Sequence, residues 1–441
     1  MTERVIQFGE GGFLRSFADV FIHKMNEQGL FDGSVVVVQP IPVGLIPVIN
    51  EQKGEYHQFL RGIENGEVKA ECIKVKSISR GVDPHTDYNG FLALAHQPEM
   101  RFIISNTTEA GIEYLGTESL NDSPPKSFPA KLTALLYERF KAGLPGFVIL
   151  SCELIDNNGK KLLECVEKYA ELWSLGEDFL NWLKNENHFC STLVDRICTG
   201  YPKDEASELC TQIGCEDKLL NTAELFHLWV IEGDFEEEFP LKKAGINVIW
   251  TDDVSPFKKM KVRILNGAHT SLVFPSLLRG IETVGESLND NQMRGFLDLC
   301  LSKYIMPTLG ETEEHKAFAS AVLERFANPY IKHLWKSISL NSVSKYVARV
   351  LPTVCDYIDK NNALPKPLVF SLACLIEYYK TNDVSDDAGA VEFIKTHTAN
   401  EILANNALWG GDLSNMSELV NESLEKIHND GISEAISWVT C

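Results

Sequence analysis

The chain has 441 residues, 44% of them hydrophobic, with a formal net charge of −21. That length suits two or three domains with full cores, and so acidic a chain is a poor partner for nucleic acid or an anionic membrane surface. The 11 cysteines are odd in number and show no CxxC or zinc-like Cys/His spacing, so reduced thiols, no metal and a cytoplasmic enzyme are expected. The N-terminal MTERVIQFGEGG lacks a signal-peptide pattern, and no apolar run reaches the roughly 18 residues of a membrane span.

Residues 4–8 read as a short buried strand. Gly9-Glu10-Gly11-Gly12-Phe13 follows at once, then an amphipathic helix over 14–27 and an apolar strand over 34–39 (SVVVVQ). A strand–glycine turn–helix–strand unit can bring backbone N–H groups up to a pyrophosphate. Gly9 and Gly11 match the first two glycines of G-x-G-x-x-G, but the third position is Leu14, so an ordinary tight turn stays open beside the dinucleotide site. The acid that would hold a ribose hydroxyl after the second strand is missing. Gln39 and Pro40 stand there, with no Arg or Lys following directly, which tilts the expectation to NAD over NADP. Gly9, Gly11, Gly12, Phe13 and Gln39 are the cofactor candidates of this segment.

Residues 41–75 are less regular, with an edge-strand alternation over 70–76 and a short helix over 87–95. A buried strand at 101–105 ends in Asn106-Thr107-Thr108-Glu109-Ala110-Gly111. Ligand groups lie past the carboxyl ends of parallel strands, so Asn106 and Thr107 are cofactor-edge candidates, with a hydrogen-bonded polar turn as the alternative. A loop at 124–129 and a helix at 130–141 follow. The strand at 147–151 runs into Cys152-Glu153-Leu154-Ile155-Asp156-Asn157-Asn158-Gly159 and a helix over 160–173. Asn is common at such turns for structural reasons, yet an amide there can also orient a carbonyl. Residues 189–197 are apolar apart from Ser191, Thr192 and the adjacent Asp195 and Arg196. Strands at 225–231 and 246–251 close this part. Everything later reads as helix, over 261–279, 290–306, 313–327, 330–349, 366–380 and 386–398. The expected domains are 1–250 and 251–441.

The stretch KKMKVRILNGAHTS, residues 258–271, carries the strongest chemical signal. Ser255-Pro256 reads as a helix start. At about 100° per residue, His269 lies roughly 80° and Asn266 roughly 140° from Lys261, on one half of the helix with Val262 and Leu265. Gly267 leaves room for a close approach. The cluster Lys258, Lys259, Lys261 and Arg263 stands out on an acidic chain, although a solvated basic helix end has the same pattern. An α/β domain followed by a helical one that opens with Lys, Asn and His suggests a cleft enzyme. Hydride transfer to a carbonyl needs a proton donor. Lysine, near 10.4 when unperturbed, serves only if desolvation and neighbouring cations lower its pKa. Asn266 and an upstream Asn suit the carbonyl oxygen, and His269 a substrate hydroxyl.

With these residues the chain resembles the polyol-specific long-chain dehydrogenase/reductase family, which includes mannitol dehydrogenase and the hexuronate reductases. The marks are FGEGGFLR, SNTTEAG, SCELIDNNG, STLVDRI and K-x4-N-x2-H at Lys261, Asn266 and His269. The resemblance implies an α/β Rossmann-like N-terminal domain with a mostly parallel sheet, then a mostly α-helical C-terminal domain. It implies NADH-dependent, metal-independent reduction of a keto-uronate, D-tagaturonate to D-altronate, with Lys261 as general acid/base. Asn266 and Asn158, preferred over Asn157, would hold the oxygen, and His269 and Asp195 would line the site. A further family lysine matches Lys345. Polyol dehydrogenases carry Arg where this chain has Ser337 and Glu where it has Lys258, and the added charge suits a carboxylated substrate. That carboxylate is expected to meet Lys345, helped by His333, Lys336 or Arg349. Fructuronate, fructose or a related keto-acid is an alternative substrate, as for a fructuronate reductase or a mannitol/polyol 2-dehydrogenase of the same family, and a non-catalytic NAD-binding sensor is an alternative class. A monomer or loose homodimer is expected.

Overall fold

Four consecutive valines at 35–38 have no polar face to offer water, so their strand must be covered on both sides. The computed structural model describes residues 1–108 and 110–441; Glu109, in the expected SNTTEAG turn, lies outside the described residues. In chain order the strands are β1 (Thr2–Phe8), β2 (Gly33–Val38), β3 (Tyr56–Glu64), β4 (Glu67–Val75), β5 (Ile78–Val82), β6 (Phe102–Ser105), β7 (Val148–Ser151), β8 (His188–Asp195), β9 (Cys198–Gly200), β10 (Asn221–Ala223), β11 (Leu228–Glu232) and β12 (Val248–Thr251).

The main sheet has the order β12-β11-β8-β7-β6-β1-β2-β5. It is parallel except where β11 runs against β8. Side chains alternate between its two faces. Val5, Val35, Val37, Phe102 and Ile104 pack on one side with the helix Ala18–Glu27. Ile6, Phe8, Val36, Val38 and Ile103 pack on the other with the helices Phe128–Lys141 and Asn158–Leu172. This is a doubly wound, Rossmann-type sheet, and its strand order reverses between β1 and β6, where such sheets hold ligands.

Three sequence expectations change. The helix expected over 14–27 is two helices, Gly12–Ser16 and Ala18–Glu27, broken at Phe17 (φ −120°, ψ −92°). That ring packs against Phe13, Phe21 and Trp229. Residues 41–75 hold the helix Ile46–Glu51 and strands β3 and β4. These strands turn through Asn65 (φ +54°) and Gly66 (φ +76°), the left-handed pair that a two-residue hairpin favours. They belong to a second sheet, β4-β3-β10-β9. The helix expected over 330–349 is two short ones, Trp335–Ile338 and Ser342–Arg349. Asn341 between them has φ +54°, a left-handed conformation that cannot continue a helix.

The chain divides into two compact units. The first is Met1–Arg61 with Lys69–Ser255, and the second is Gly62–Val68 with Pro256–Cys441. The second is mostly helical, centred on the buried helices Ala268–Leu278 and Lys366–Thr381. Among the described residues no helix is long and apolar enough to cross a membrane.

Beneath the glycine turn, Gln7 Nε2 donates to Gly9 O (3.0 Å) and to Asp19 Oδ2 (3.2 Å). Asp19 is fully buried, and burial pushes its carboxyl up to about 7. The folded state therefore keeps a proton that the unfolded chain loses above about pH 4. The resulting stabilisation is complete below that pH and lost as pH rises towards 7. Denaturant melts between pH 4 and 7 should show stability falling by an amount on the order of a few kcal/mol. Asp19→Asn should flatten that slope; an unchanged slope would place the titration elsewhere.

Candidate active site

Gly9 and Asn106 leave the carboxyl ends of β1 and β6, the two strands at the reversal. Gly9 has φ +121°, and a Cβ on it would stand 2.8 Å from Asn106 O, so only glycine fits. Gly11 has open space beside it. The tight helix packing that the third glycine of the fingerprint serves falls on Gly12, not on position 14. A Cβ on Gly12 would stand 2.9 Å from Asn221 Oδ1 and 3.3 Å from Gly200 Cα. Asn221 Nδ2 also donates to Gly12 O (2.8 Å). Leu14 is buried in the core. A cavity of about 420 Å³ opens here, lined among others by Gly12, Phe13, Asn106, Leu154, Arg196 and Gly200. The sequence reading missed Asn221 and Gly200, whose short strands β10 and β9 carry no periodic signal.

Several candidates prove to be ties between strand ends. Thr107 N–H and Oγ1 both donate to Glu153 Oε1 (3.0 Å each), and Ser105 Oγ donates to Glu153 Oε2 (3.1 Å). Burial pushes the Glu153 carboxyl up, against these donors. Asn106 Nδ2 donates to Cys152 O (2.6 Å). Thr107 is thus tied to the end of β7, and Asn106 lines the cavity.

Asn158 is bonded into the same frame. Its Nδ2 donates to Glu153 O (2.9 Å) and Thr192 O (3.0 Å), and its Oδ1 accepts from Gly159 N and Thr192 N (2.9 Å each). Two donors and two acceptors exhaust an amide, so Asn158 has no hydrogen left for a substrate oxygen. Asn157 is exposed, at φ +52°, with no capping hydrogen bond from its side chain. Asp195 is buried at the end of β8. Its neighbour Arg196 donates to the carbonyls of Ser16, Leu225 and Phe226, so it is separately bonded.

In the second unit the expected continuous helix is Ser255–Lys261, a wider π-helical turn Val262–Gly267, and Ala268–Leu278. The π turn offsets the 100° arithmetic between Lys261 and His269, and such turns cluster at functional sites. Lys261 and Asn266 are half-buried and His269 is 8% exposed. The His269 ring stacks on Phe326 (4.8 Å) and lies near His333 (4.9 Å) and Trp335 (5.3 Å). Its Nε2 is buried without a hydrogen-bond partner. Burial first, then the charges of His333, Arg349, Arg325 and Lys345, hold its pKa well below the usual value, so the ring is neutral.

Lys345, Arg349 and His333, expected around a carboxylate, therefore do gather near His269, joined by Arg325, which the sequence reading missed. Lys345 Nζ donates to Ile338 O (2.8 Å). Burial and then Arg349 lower its pKa, with Asp386 opposing. Burial alone lowers that of Arg349. The cluster around Lys261 does not act as a unit. Arg263 donates to Thr353 Oγ1 (2.7 Å) and Asp356 Oδ2 (3.0 Å), and Lys259 lies 3.5 Å from the same carboxylate. Lys258 is half-buried, its pKa lowered by desolvation. The space left by Gly267 is taken by this protein's own backbone, since a Cβ there would meet Arg349 O at 2.8 Å. Among the described residues no group of three or more His, Cys, Asp or Glu is placed to hold a metal ion.

The models of the mannitol dehydrogenase Rossmann domain and of the mannitol dehydrogenase C-terminal domain match residues 3–243 and 253–429. The chain belongs to the mannitol dehydrogenase family and is an oxidoreductase. It is 42% identical to altronate oxidoreductase of Escherichia coli O7:K1, over 98% of this chain and 96% of that one. It is 41% identical to altronate oxidoreductase of Yersinia enterocolitica, over 99% and 96%. Its fold is that of a substrate-free D-sorbitol dehydrogenase crystal structure (TM-score 0.88, 22% identity, 99% of this chain and 95% of that one). A mannitol 2-dehydrogenase from Pseudomonas fluorescens, solved with NAD and D-mannitol, shares it (TM-score 0.73, 20% identity, 100% and 94%).

Asn158→Ala should lower Tm clearly, because it strips partners from buried backbone groups at about 1–3 kcal/mol each. Asn157→Ala should lower Tm less, at about 1 kcal/mol, because Ala tolerates φ +52° less well than Asn. Gly267→Ala should cost about 1–3 kcal/mol through overpacking against Arg349. Thermal melts of the three variants check this; a Gly267→Ala protein as stable as wild type would contradict the packing.

Proposed function

We propose that the protein is an NAD-dependent altronate oxidoreductase that reduces D-tagaturonate to D-altronate reversibly. Residues 1–250 would hold the cofactor and 251–441 would supply the acid–base group. The observation that carries this reading is identity above 40% across nearly the full length of altronate oxidoreductases. The gathering of Lys345, Arg349 and Arg325 around a neutral histidine supports it. A uronate carboxylate carries a charge for Lys345 and Arg349 to meet that an uncharged ketose lacks.

The turn at Gly9–Gly12, with its open side at Gly11 and its adjoining cavity, fits a dinucleotide. NADH, when bound, would supply the hydride to the ketone carbon. Lys261 would pass a proton from Nζ to the ketone oxygen in reduction and take it back in oxidation. We assign a hydrogen bond that holds this oxygen to Asn266. His269 Nε2, orphaned and neutral, is suited to a substrate hydroxyl. Asp195 and Lys258 are proposed as further lining groups.

NADH oxidation followed by absorbance, with D-tagaturonate, D-fructuronate and D-fructose in parallel, tests the reading. Turnover should be greatest with tagaturonate, and Lys261→Ala should lower kcat by about 10²–10⁴. Turnover of another ketone that the mutation abolishes would keep the mechanism and reject the substrate. NADH binding without turnover of any ketone would favour a sensor. Lys345→Met and Arg349→Met should raise KM for the uronate about tenfold or more while leaving that for an uncharged ketose nearly unchanged. Equal losses on both would remove the carboxylate assignment.

A further inference from the structure

Two thiols far apart in the chain come together on one face of the second sheet. The helix Ala206–Ile213 and the turn after it run along β3, and three contacts fix that path. Arg61 pairs with Glu205, just before the helix. Phe59 shares a small apolar core with Leu209, and Cys210 and Ile213 pack against it. His57 donates its backbone N–H to Asp217 Oδ2 (2.6 Å), and its ring Nδ1 lies 3.0 Å from the same oxygen. Side chains alternate along a strand, so residues 57, 59 and 61 share the face that this segment covers.

The two-residue turn at Asn65 and Gly66 sets Glu64, the end of β3, opposite Glu67, the start of β4. Phe59 then stands opposite Cys72, and His57 opposite Lys74. The ion pair of Lys74 with Glu55 (2.6 Å) agrees with that register. Cys215 lies between Ile213, beside Phe59, and Asp217, beside His57, which brings it to their β4 neighbours. The charges report the same closeness. Burial, then Asp217 and then Cys215, raise the pKa of Cys72. Lys74, governed first by its hydrogen bond to Glu55, also feels Cys215. Both sulfurs are reachable, because β4 is an edge strand and Cys72 and Cys215 are exposed free thiols.

The same turn leads into the support of the cofactor candidates. Asp217 Oδ1 accepts from Leu219 N (2.8 Å), Leu219 O accepts from Arg15, and Arg15 Nε donates to Glu10 O (3.1 Å). Asn221 holds Gly12 O (2.8 Å). We propose that Cys72 and Cys215 are a reversible redox pair, which a low-molecular-weight disulfide oxidises to an intrachain disulfide that weakens dinucleotide binding. The effect on binding rests on the dinucleotide reading given above; the disulfide does not.

Burial and Asp217 keep Cys72 protonated, so Cys215 attacks first. With oxidised glutathione as the oxidant, the Cys215 thiolate displaces one glutathione thiolate and forms a mixed disulfide. The Cys72 thiolate then attacks the Cys215 sulfur and displaces the second. Two protein thiols give up two electrons and two protons, and one glutathione disulfide becomes two glutathione thiols. A disulfide needs an S–S distance of about 2.05 Å and Cα atoms about 4.4–6.8 Å apart. Closing it draws Cys215 onto β4 and disturbs the segment that shapes the glycine turn.

Equilibrating the full-length protein with oxidised glutathione and mapping its cysteines by fragmentation mass spectrometry tests the pair. A Cys72–Cys215 link should be the main product, formed with loss of two hydrogens and reversed by dithiothreitol. Cys72→Ser should instead keep glutathione on Cys215. In fluorescence titrations the oxidised wild type should bind NADH about fivefold or more weakly than the reduced protein. Dithiothreitol should restore that affinity, and Cys72→Ser under the same treatment should show no such loss. Glutathione held separately on the two cysteines, or a link through Cys210 instead, would overturn the proposal. So would a Cys72–Cys215 disulfide that leaves NADH affinity unchanged. A reduced protein that binds no NADH would reject the dinucleotide reading and with it the effect on binding, while the mapping still decides the pair.

Discussion

The approach of Gly9 to the Asn106 carbonyl is the constraint on which the first unit depends. At the strand reversal two chains leave adjacent strands side by side, and nothing larger than a hydrogen fits between them. That fit is possible only with Gly9 at φ +121°, a conformation other residues avoid. The turn so formed is held from below by Gln7 and Asp19. On the far side Asn221 fixes Gly12 to the second sheet. A small amount of backbone is thus pinned from three directions, which leaves Gly11 and the cavity beside it shaped before any ligand arrives.

The neighbouring strand ends are tied by a second set of buried polar groups. Glu153 gathers Ser105 and Thr107, and Asn158 gathers the backbone of Glu153, Gly159 and Thr192. Polar residues at a sheet's carboxyl edge look alike in sequence whether they hold a ligand or one another. Here the saturated ones form the frame, and the unsaturated ones face outwards from it. Asn157 and Asn158 are adjacent and chemically identical, and only their hydrogen-bond partners distinguish them.

In the second unit, positive charge is sorted by what neutralises it. Asp356 takes up Lys259 and Arg263, so the conspicuous basic run loses part of its reach. Lys345 and Arg349 keep theirs, and burial disfavours their charged forms. A cation held in such surroundings gains much from an anion. His269 stays neutral among them and stacked on Phe326, which suits a hydrogen bond better than an ion pair.

The sequence by itself determined the parallel sheet, because an all-valine strand has to be covered on both faces, and the glycine turn that follows β1. It also determined the helical second half, since helical periodicity is local. The Asn65-Gly66 hairpin was equally legible, as a turn pair between alternating strands, and went unread. The break at Phe17 and the π turn at Val262–Gly267 were not legible, because core packing overrides local helix periodicity. Nor was the state of each polar group. Asn158 meets Thr192, 34 residues away, and Thr107 meets Glu153, 46 residues away; Gly267 abuts Arg349. Whether a side chain is spent on the fold or left for a ligand depends on such distant partners, so only the tertiary structure decided it.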